Sequence, residues 1–431
     1  MSKEAKPDVP AGLVRSLSTR WELNGQDFDE VDSNTQEPVR TNRRLRVRPR
    51  NNIPQLHNSF LQQILGGTYS ELEVAGFLLE QEREGGPRQT SNVMTIKVLC
   101  TGHFQLNLIF KSINSASPKA KVLNFRELFK KEALMYSTVI PQLIAMHQDD
   151  PLDMFARSYH ASNDLIVLDD LGSHGYRTGD HGTGLDAAHS KLVFAELGRF
   201  HATSYVLKKS DSTETTNALN EVGREVQFTR ERISIHEEHL AQLARNTTDI
   251  IQKNPKTSRY AKQVEGILHN TYHHLLTFLK PREPFLTLTH GDLWAKNIMF
   301  RYSKDEPVSV KFLDFQTCRY GSPALDINYF LYTSTTSSVR ERYRDDFIRT
   351  YHWSLSRNLH RLGLNISPSL ADLRREVDFT SLYGFLAAHL ILRDTFSDSN
   401  FEGDADKFFS ERIADVVLDL GDQGVFEHLV Q

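Results

Sequence analysis

The chain is poor in cysteine: Cys100 and Cys318 are its only two in 431 residues. A scaffold stapled by disulfides is therefore not expected, and a reducing compartment fits. No apolar run approaches the length that a transmembrane helix needs. Charge of one sign is also missing. Lys and Arg number 51 against 55 acidic residues, a formal net charge of −4, which gives no footing for a nucleic-acid or membrane-surface partner. The first residues, MSKEAKPDVPAGLV, lack the basic start and apolar stretch of a secretory signal, and Glu4, Asp8 and Glu22 interrupt any mitochondrial leader. A cytoplasmic location is the expectation. The remaining composition is that of a globular protein, and the length suits two lobes better than one core.

Residues 1–50 read as a flexible extension. An acidic patch (Asp27, Asp29, Glu30, Asp32) precedes a basic one (Arg40, Arg43, Arg44, Arg46, Arg48, Arg50). The basic patch is either a polyanion or nuclear-targeting signal or a solvated linker that pairs with the acidic stretch. A helix is expected at Ser59–Leu65, closed by Gly66-Gly67. Strand-like runs rich in Val, Ile, Leu and Phe follow at Ser70–Leu79, Val93–Cys100 and Phe104–Ser112. Helical periodicity then covers Phe125–Tyr136, Gly184–Tyr205, Ala218–Arg245, Arg259–Leu279, Arg340–Leu362, Leu370–Phe396 and Ala405–Leu420. Strands come first and helices after, so the fold class is α+β.

The richest stretch is LTHGDLWAKNIMF (Leu288–Phe300), followed by FLDFQTCRYGSPALD (Phe312–Asp326). Asn297 lies five positions after Asp292, and Asp314 lies 22 after it, at the end of a second strand-like run. An Asp, an Asn five positions on and a second Asp on the next hairpin form the working part of a kinase site. In that pattern Asp292 takes the proton of an attacking hydroxyl. Asn297 and Asp314 hold magnesium, a hard cation suited to oxygen donors. His290 braces the loop. Trp294 lines an acceptor pocket or anchors the core, and Cys318 reads as a small packing residue.

These residues resemble the ecdysteroid kinase-like (CHK kinase-like) family, which is similar to aminoglycoside phosphotransferases and choline kinases. The resemblance is strongest over Leu288–Thr335. It extends more weakly from about Leu72 onward through FRELFKKEALMYSTVIP, LIVLDDLGSHGY and LGRFHATSY. It implies a two-lobed protein-kinase-like fold, with a small antiparallel β lobe and a larger, mostly helical lobe. The expected division is an N-lobe over 51–168, with the hinge at its end, and a C-lobe over 169–431. Lys111, closing the third strand, then becomes the residue that holds the α- and β-phosphates. Glu132 becomes its ion-pair partner, with Glu127 as the competitor on another helix face. Asp292, Lys111 and Glu132 make up the implied catalytic set.

The segment Glu82–Asn92, with only Gly85 and Gly86, takes the place of the phosphate-covering loop, or is a plain hairpin turn. DLIVLDDL (Asp164–Leu171) reads as a buried strand running into two acids, and the resemblance makes it the hinge, where adenine would meet backbone N–H and C=O near Asp169 and Leu171. His201 is a core hydrogen-bonding residue, and Asp326 anchors the catalytic loop. The implied cofactors are ATP and Mg2+, and the implied acceptor is a small-molecule alcohol, an ecdysteroid or related secondary metabolite. The sequence does not fix the oligomeric state. A choline- or aminoglycoside-type kinase and a non-catalytic kinase-fold binding module stay open. A protein kinase is disfavoured by Gly291, by Gln316 where protein kinases have Gly, and by the lack of an Ala-Pro-Glu segment.

Overall fold

The computed structural model describes residues 56–83, 91–114, 120, 124–179, 182–283, 286–395 and 404–427. They belong to one compact unit running from Pro49 to Gln431. The expected extension over 1–50, its Arg cluster, Gly85 and Gly86 lie outside the described residues.

The small lobe opens with helix α1 (Asn58–Gly66), whose N-cap is the His57 side chain. Strands β1 (Val74–Arg83), β2 (Ser91–Cys100) and β3 (Gln105–Ile113) follow, each antiparallel to the next. The first strand starts four residues later than the sequence suggests. Its register reaches Arg83, paired with Val93, because cross-strand bonding overrides the polar composition of its second half. Strand β5 (Leu165–Asp169), the buried strand read in DLIVLDDL, and β4 (Ser158–Ala161), which was not expected, complete a sheet of order β1-β2-β3-β5-β4.

On β2, Met94, Ile96 and Val98 alternate inward and meet Leu61 and Leu65 of α1. On β5, Leu165 and Val167 join this small core, while Ile166 and Leu168 join the main core on the other face. That strand is buried on both sides, which is why it reads as an unbroken apolar run.

Helix α2 (Phe125–Leu134) continues through a π-helical turn, Met135–Val139, into α3 (Ile140–Ala145). Pro141 sits in the first turn of α3, where its missing N–H costs nothing. Before β4, Phe312 donates its N–H to Met154 O at 2.8 Å, and Lys311 donates to Asp153 at 2.7 Å.

The larger lobe runs through β6 (Tyr176–Thr178), α4 (Ala187–Leu207), α5 (Thr213–Gly223), α6 (Ile233–Lys253), α7 (Ala261–His269) and α8 (Thr271–Phe278). Strands β7 (Thr287–Thr289), β8 (Ile298–Ser303), β9 (Glu306–Phe312) and β10 (Arg319–Gly321) carry the polar motif. Helices α9 (Pro323–Ser334), α10 (Ser337–Arg361), α11 (Leu370–Phe379), α12 (Ser381–Thr395) and α13 (Ala405–Asp422) close it. This is the expected α+β, two-lobed kinase-like architecture.

Three expected helices are broken. The run Ala218–Arg245 splits because α5 must stop at Gly223, where a Cβ would lie 2.3 Å from the Tyr320 ring, and Arg224 is extended. Arg259–Leu279 breaks at Asn270, whose amide caps the Gly266 carbonyl. Leu370–Phe396 breaks at buried Thr380, which Asn328 bonds at 2.9 Å. Helix α9 carries no helical signal because all twelve of its residues are buried. A helix apolar all round shows no stripe.

Candidate active site

Strand β7 delivers the chain into a loop from His290 to Asn297, and β8 leaves it. Gly291 turns this loop at φ +80, the left-handed region. Asp326, the fourth residue of α9, anchors the turn. Its Oδ2 accepts the N–H of His290 at 2.6 Å, and its Oδ1 accepts that of Gly291 at 2.9 Å. His201, fully buried on α4, donates from Nε2 to the same carboxylate at 3.1 Å, while its Nδ1 meets Tyr351 Oη at 2.8 Å. Burial alone would raise the Asp326 carboxyl, but His201, His290 and the Gly291 amide hold it below the usual range.

His290 donates from Nε2 to Leu313 O at 2.9 Å and accepts the Asp292 N–H at Nδ1, 3.3 Å away. Those contacts require the neutral Nε2 tautomer, and burial keeps its pKa low. His201, His290 and Asp326 are thus bonded into one frame around the loop.

Asp292 has both oxygens engaged. Oδ1 accepts from Tyr329 Oη at 2.5 Å, and Oδ2 accepts from Asn297 Nδ2 at 2.9 Å. Burial pushes its carboxyl up to about 6. The Tyr329 bond works against that rise, and Asp314 adds to it. The Asn297 amide nitrogen also donates to Asp292 O at 3.0 Å, so its carbonyl oxygen is the atom left for a cation.

Strand β9 ends at Phe312, and two residues on Asp314 adopts φ 66, ψ 65. A left-handed Asp is a strained conformation of the kind that clusters at working sites. Asp314 Oδ1 accepts from Lys111 Nζ at 3.1 Å and Oδ2 from Gln316 Nε2 at 3.2 Å. Lys111 also grips Glu132 at 2.6 and 2.8 Å. Burial would lower the Lys111 ammonium, but Asp314 and Glu132 outweigh it and hold it up. Glu127 pairs with Arg224 instead, at 3.1 Å. The structure therefore joins Lys111, Glu132 and Asp314 in one cluster and Asp292 and Asn297 in another. The Leu313 N–H to Asn297 O bond, 2.9 Å, links their two loops.

At the end of β5, the Asp169 N–H is already given to Arg157 O at 2.9 Å. An adenine contact at Asp169 could use only its carbonyl, which narrows the sequence expectation of both groups. The Asp169 side chain meets His174 at 2.9 Å. Asp170 caps the following turn through the Gly172 N–H, and Leu171 is buried.

Trp294 is 8% exposed in the main core. Both cysteines are free and buried.

The sequence offers Tyr329 only as one of several aromatics that line an acceptor groove or fill the core, and it does not single out Arg319, Glu225 or Lys131. Tyr329 left one readable sign: it follows Asp326 by three positions and so shares its helix face. The others meet the site only through tertiary contact. A cavity of about 590 Å³ lies between α6, α7 and α8, and none of the site residues lines it.

The donor set fits a hard cation. Asn297 and Asp314 supply oxygens, and Gln316 Oε1 beside them is buried without a partner. Among the described residues no helix is long and apolar enough to cross a membrane.

No curated protein matches the chain. Among solved structures, it is similar to an ethanolamine kinase of Plasmodium vivax, at 13% identity and a TM-score of 0.45, with 84% of this chain and 86% of that one covered. The macrolide 2'-phosphotransferase of Brachybacterium faecium is 14% identical, with a TM-score of 0.35 and coverage of 84% and 97%. Amicoumacin kinase, in complex with AMP-PNP, Ca2+ and its ligand, is 13% identical, with a TM-score of 0.40 and coverage of 83% and 93%. The model of the ecdysteroid kinase-like family matches from residue 86 to residue 364, well over half of the chain. That stretch carries the Lys111–Glu132 pair and both acidic loops, and the chain belongs to the ecdysteroid kinase-like family.

Proposed function

We propose that the chain transfers the γ-phosphoryl group of ATP, with Mg2+, to a hydroxyl of an ecdysteroid or a related secondary metabolite, in hormone inactivation or detoxification. Membership of the family makes it a small-molecule phosphotransferase with an alcohol as acceptor. The observation that carries the finer reading is the convergence of Lys111, Glu132 and Asp314 within 3.1 Å contacts, linked to the Asp292–Asn297 pair.

In this reading Asp292 orients the acceptor hydroxyl and takes its proton. A carboxylate near 6 is a better base at neutral pH than an ordinary Asp. Lys111, positioned by Glu132, faces the α- and β-phosphates. Asn297 and Asp314 would hold Mg2+, which supplies charge neutralisation at the transferring phosphoryl group. Adenine would meet the Asp169 carbonyl and the Leu171 backbone. Tyr329 shares Asp292 Oδ1 and so stands beside the acceptor oxygen.

The test is incubation with Mg–ATP and a panel of ecdysteroids, phenolic glycosides, choline and aminoglycosides, read by mass spectrometry for one added phosphoryl group. A phosphorylated ecdysteroid supports hormone inactivation, and a phosphorylated glycoside supports detoxification. Phosphocholine or a phosphorylated aminoglycoside as the preferred product refutes the acceptor assignment.

A further inference from the structure

Protein kinases carry Arg in the middle of the His-Arg-Asp triplet; here Gly291 takes that place. A side chain does not fit. A Cβ on Gly291 would lie 2.4 Å from Thr317 O and 3.1 Å from Cζ and Nη1 of Arg319. The Arg319 guanidinium, delivered by β10, thus lies against the residue that precedes Asp292. It is 5% exposed, and its Nε is 2.5 Å from Glu225 Oε2.

Glu225 is itself fixed. Its Oε1 accepts the N–H groups of Gln227 at 2.6 Å and Phe228 at 2.9 Å. Burial alone would raise its carboxyl, but Arg319 and those amides hold it below the usual range, so it is charged at neutral pH. Just before it, the Arg224 carbonyl accepts from Lys131 Nζ at 2.6 Å. Lys131 Nζ also donates to Cys318 O at 2.6 Å. Lys131 is the neighbour of Glu132 on α2. The dipeptide Arg224–Glu225 therefore touches the helix that positions Lys111 through Lys131, and reaches the loop that carries Asp292 through Arg319.

In protein kinases, phosphorylation of the activation loop creates an Arg–phosphate pair that orders the site. Here the chain from Asp314 to the N-cap Ser322 is spent on one 3-10 turn and β10. We propose that Arg319 and Glu225 are the positioning pair of the catalytic loop: a carboxylate built into the chain holds the guanidinium where protein kinases use a phosphoryl group, so the loop is assembled without covalent activation. Its kinetic consequence rests on the reading of Asp292 as the base.

The experiment uses the full chain with Mg–ATP alone, read as phosphate release to water, together with hydrogen exchange over residues 288–297. Phosphatase treatment is expected to leave wild-type turnover unchanged. Glu225→Gln, the closer isostere, is expected to lose turnover about 10²-fold, as a misplaced loop does. The nucleotide Kd stays within about threefold, while Glu225→Asp, which keeps the charge, retains most of the turnover. The double variant Glu225→Gln/Arg319→Gln removes both charges of the pair together. It is expected to melt near the wild type yet exchange faster over 288–297 and turn over as slowly as Glu225→Gln. Turnover that depends on phosphorylation, or a double variant with wild-type exchange, overturns the proposal. Exchange is measured without turnover. The kinase reading fails if the wild type phosphorylates no acceptor of the panel, while faster exchange in the double variant would still support the pair and wild-type exchange would still refute it.

Discussion

Removing the proposed base should make the protein more stable, and only at higher pH. The Asp292 carboxyl is raised from 3.8 to about 6. A shift of roughly two units corresponds to about 3 kcal/mol. Asp292 is partly exposed, and screening reduces that figure to about 1–2 kcal/mol. The sign follows from linkage. A folded carboxyl raised above its unfolded value costs nothing below pH 3.8, where both states hold the proton. The cost of ionising it grows as pH rises toward 6 and is complete above that. Asp292→Asn removes the ionisation, keeps an oxygen to accept from Tyr329, and lets Asn297 turn its amide. Its advantage over wild type should be close to nil at pH 3.5, about half developed at pH 5, and reach about 1–2 kcal/mol by pH 8. Urea unfolding of both proteins without nucleotide, at half-unit steps, measures this. Transfer activity should meanwhile fall about 10²–10⁴-fold, the usual worth of a general base. An Asn variant less stable than wild type at pH 8, or an advantage that does not change with pH, refutes the electrostatic reasoning.

Tyr329→Phe removes a bond that lowers the Asp292 pKa. The acid limb of kcat/KM, expected near pH 6 in the free wild-type enzyme, should move upward and kcat should drop about tenfold; an unmoved limb would separate Tyr329 from the base. Asp314→Ala should abolish magnesium-dependent ATP binding by calorimetry, and unaltered binding would remove Asp314 from the site. Gly291→Ala meets both the positive φ and the Thr317 carbonyl at 2.4 Å. It should cost more than about 2 kcal/mol in thermal unfolding, and a wild-type melting temperature would contradict that.

The working residues were legible because kinase chemistry ties residue type to spacing within a short stretch. His290, Asp292, Asn297, Asp314 and Asp326 all fall from the end of β7 to the first turn of α9, where backbone hairpins convert sequence distance into geometry. Lys111 and Glu132 needed the resemblance, because 21 residues separate them and only α2 packing brings them to 2.6 Å. Arg319 and Glu225 were invisible. An Arg in a short strand and a Glu in an interhelical loop have no mutual signal until folding brings them to 2.5 Å. Helix ends failed in the same way. The break after Gly223 is imposed by the Tyr320 ring, a neighbour that local periodicity cannot report. Helix α9 was hidden by its own complete burial.

The central claim is transfer of a phosphoryl group through Asp292, and one comparison tests it most directly. Wild type and Asp292→Asn are each given Mg–ATP and an ecdysteroid, with nucleotide binding, ADP and phosphorylated product measured in the same samples. Nucleotide bound by both proteins, with ADP and phosphoester formed one to one by wild type alone, is the expected result. Product formation at the wild-type rate by Asp292→Asn would contradict the account.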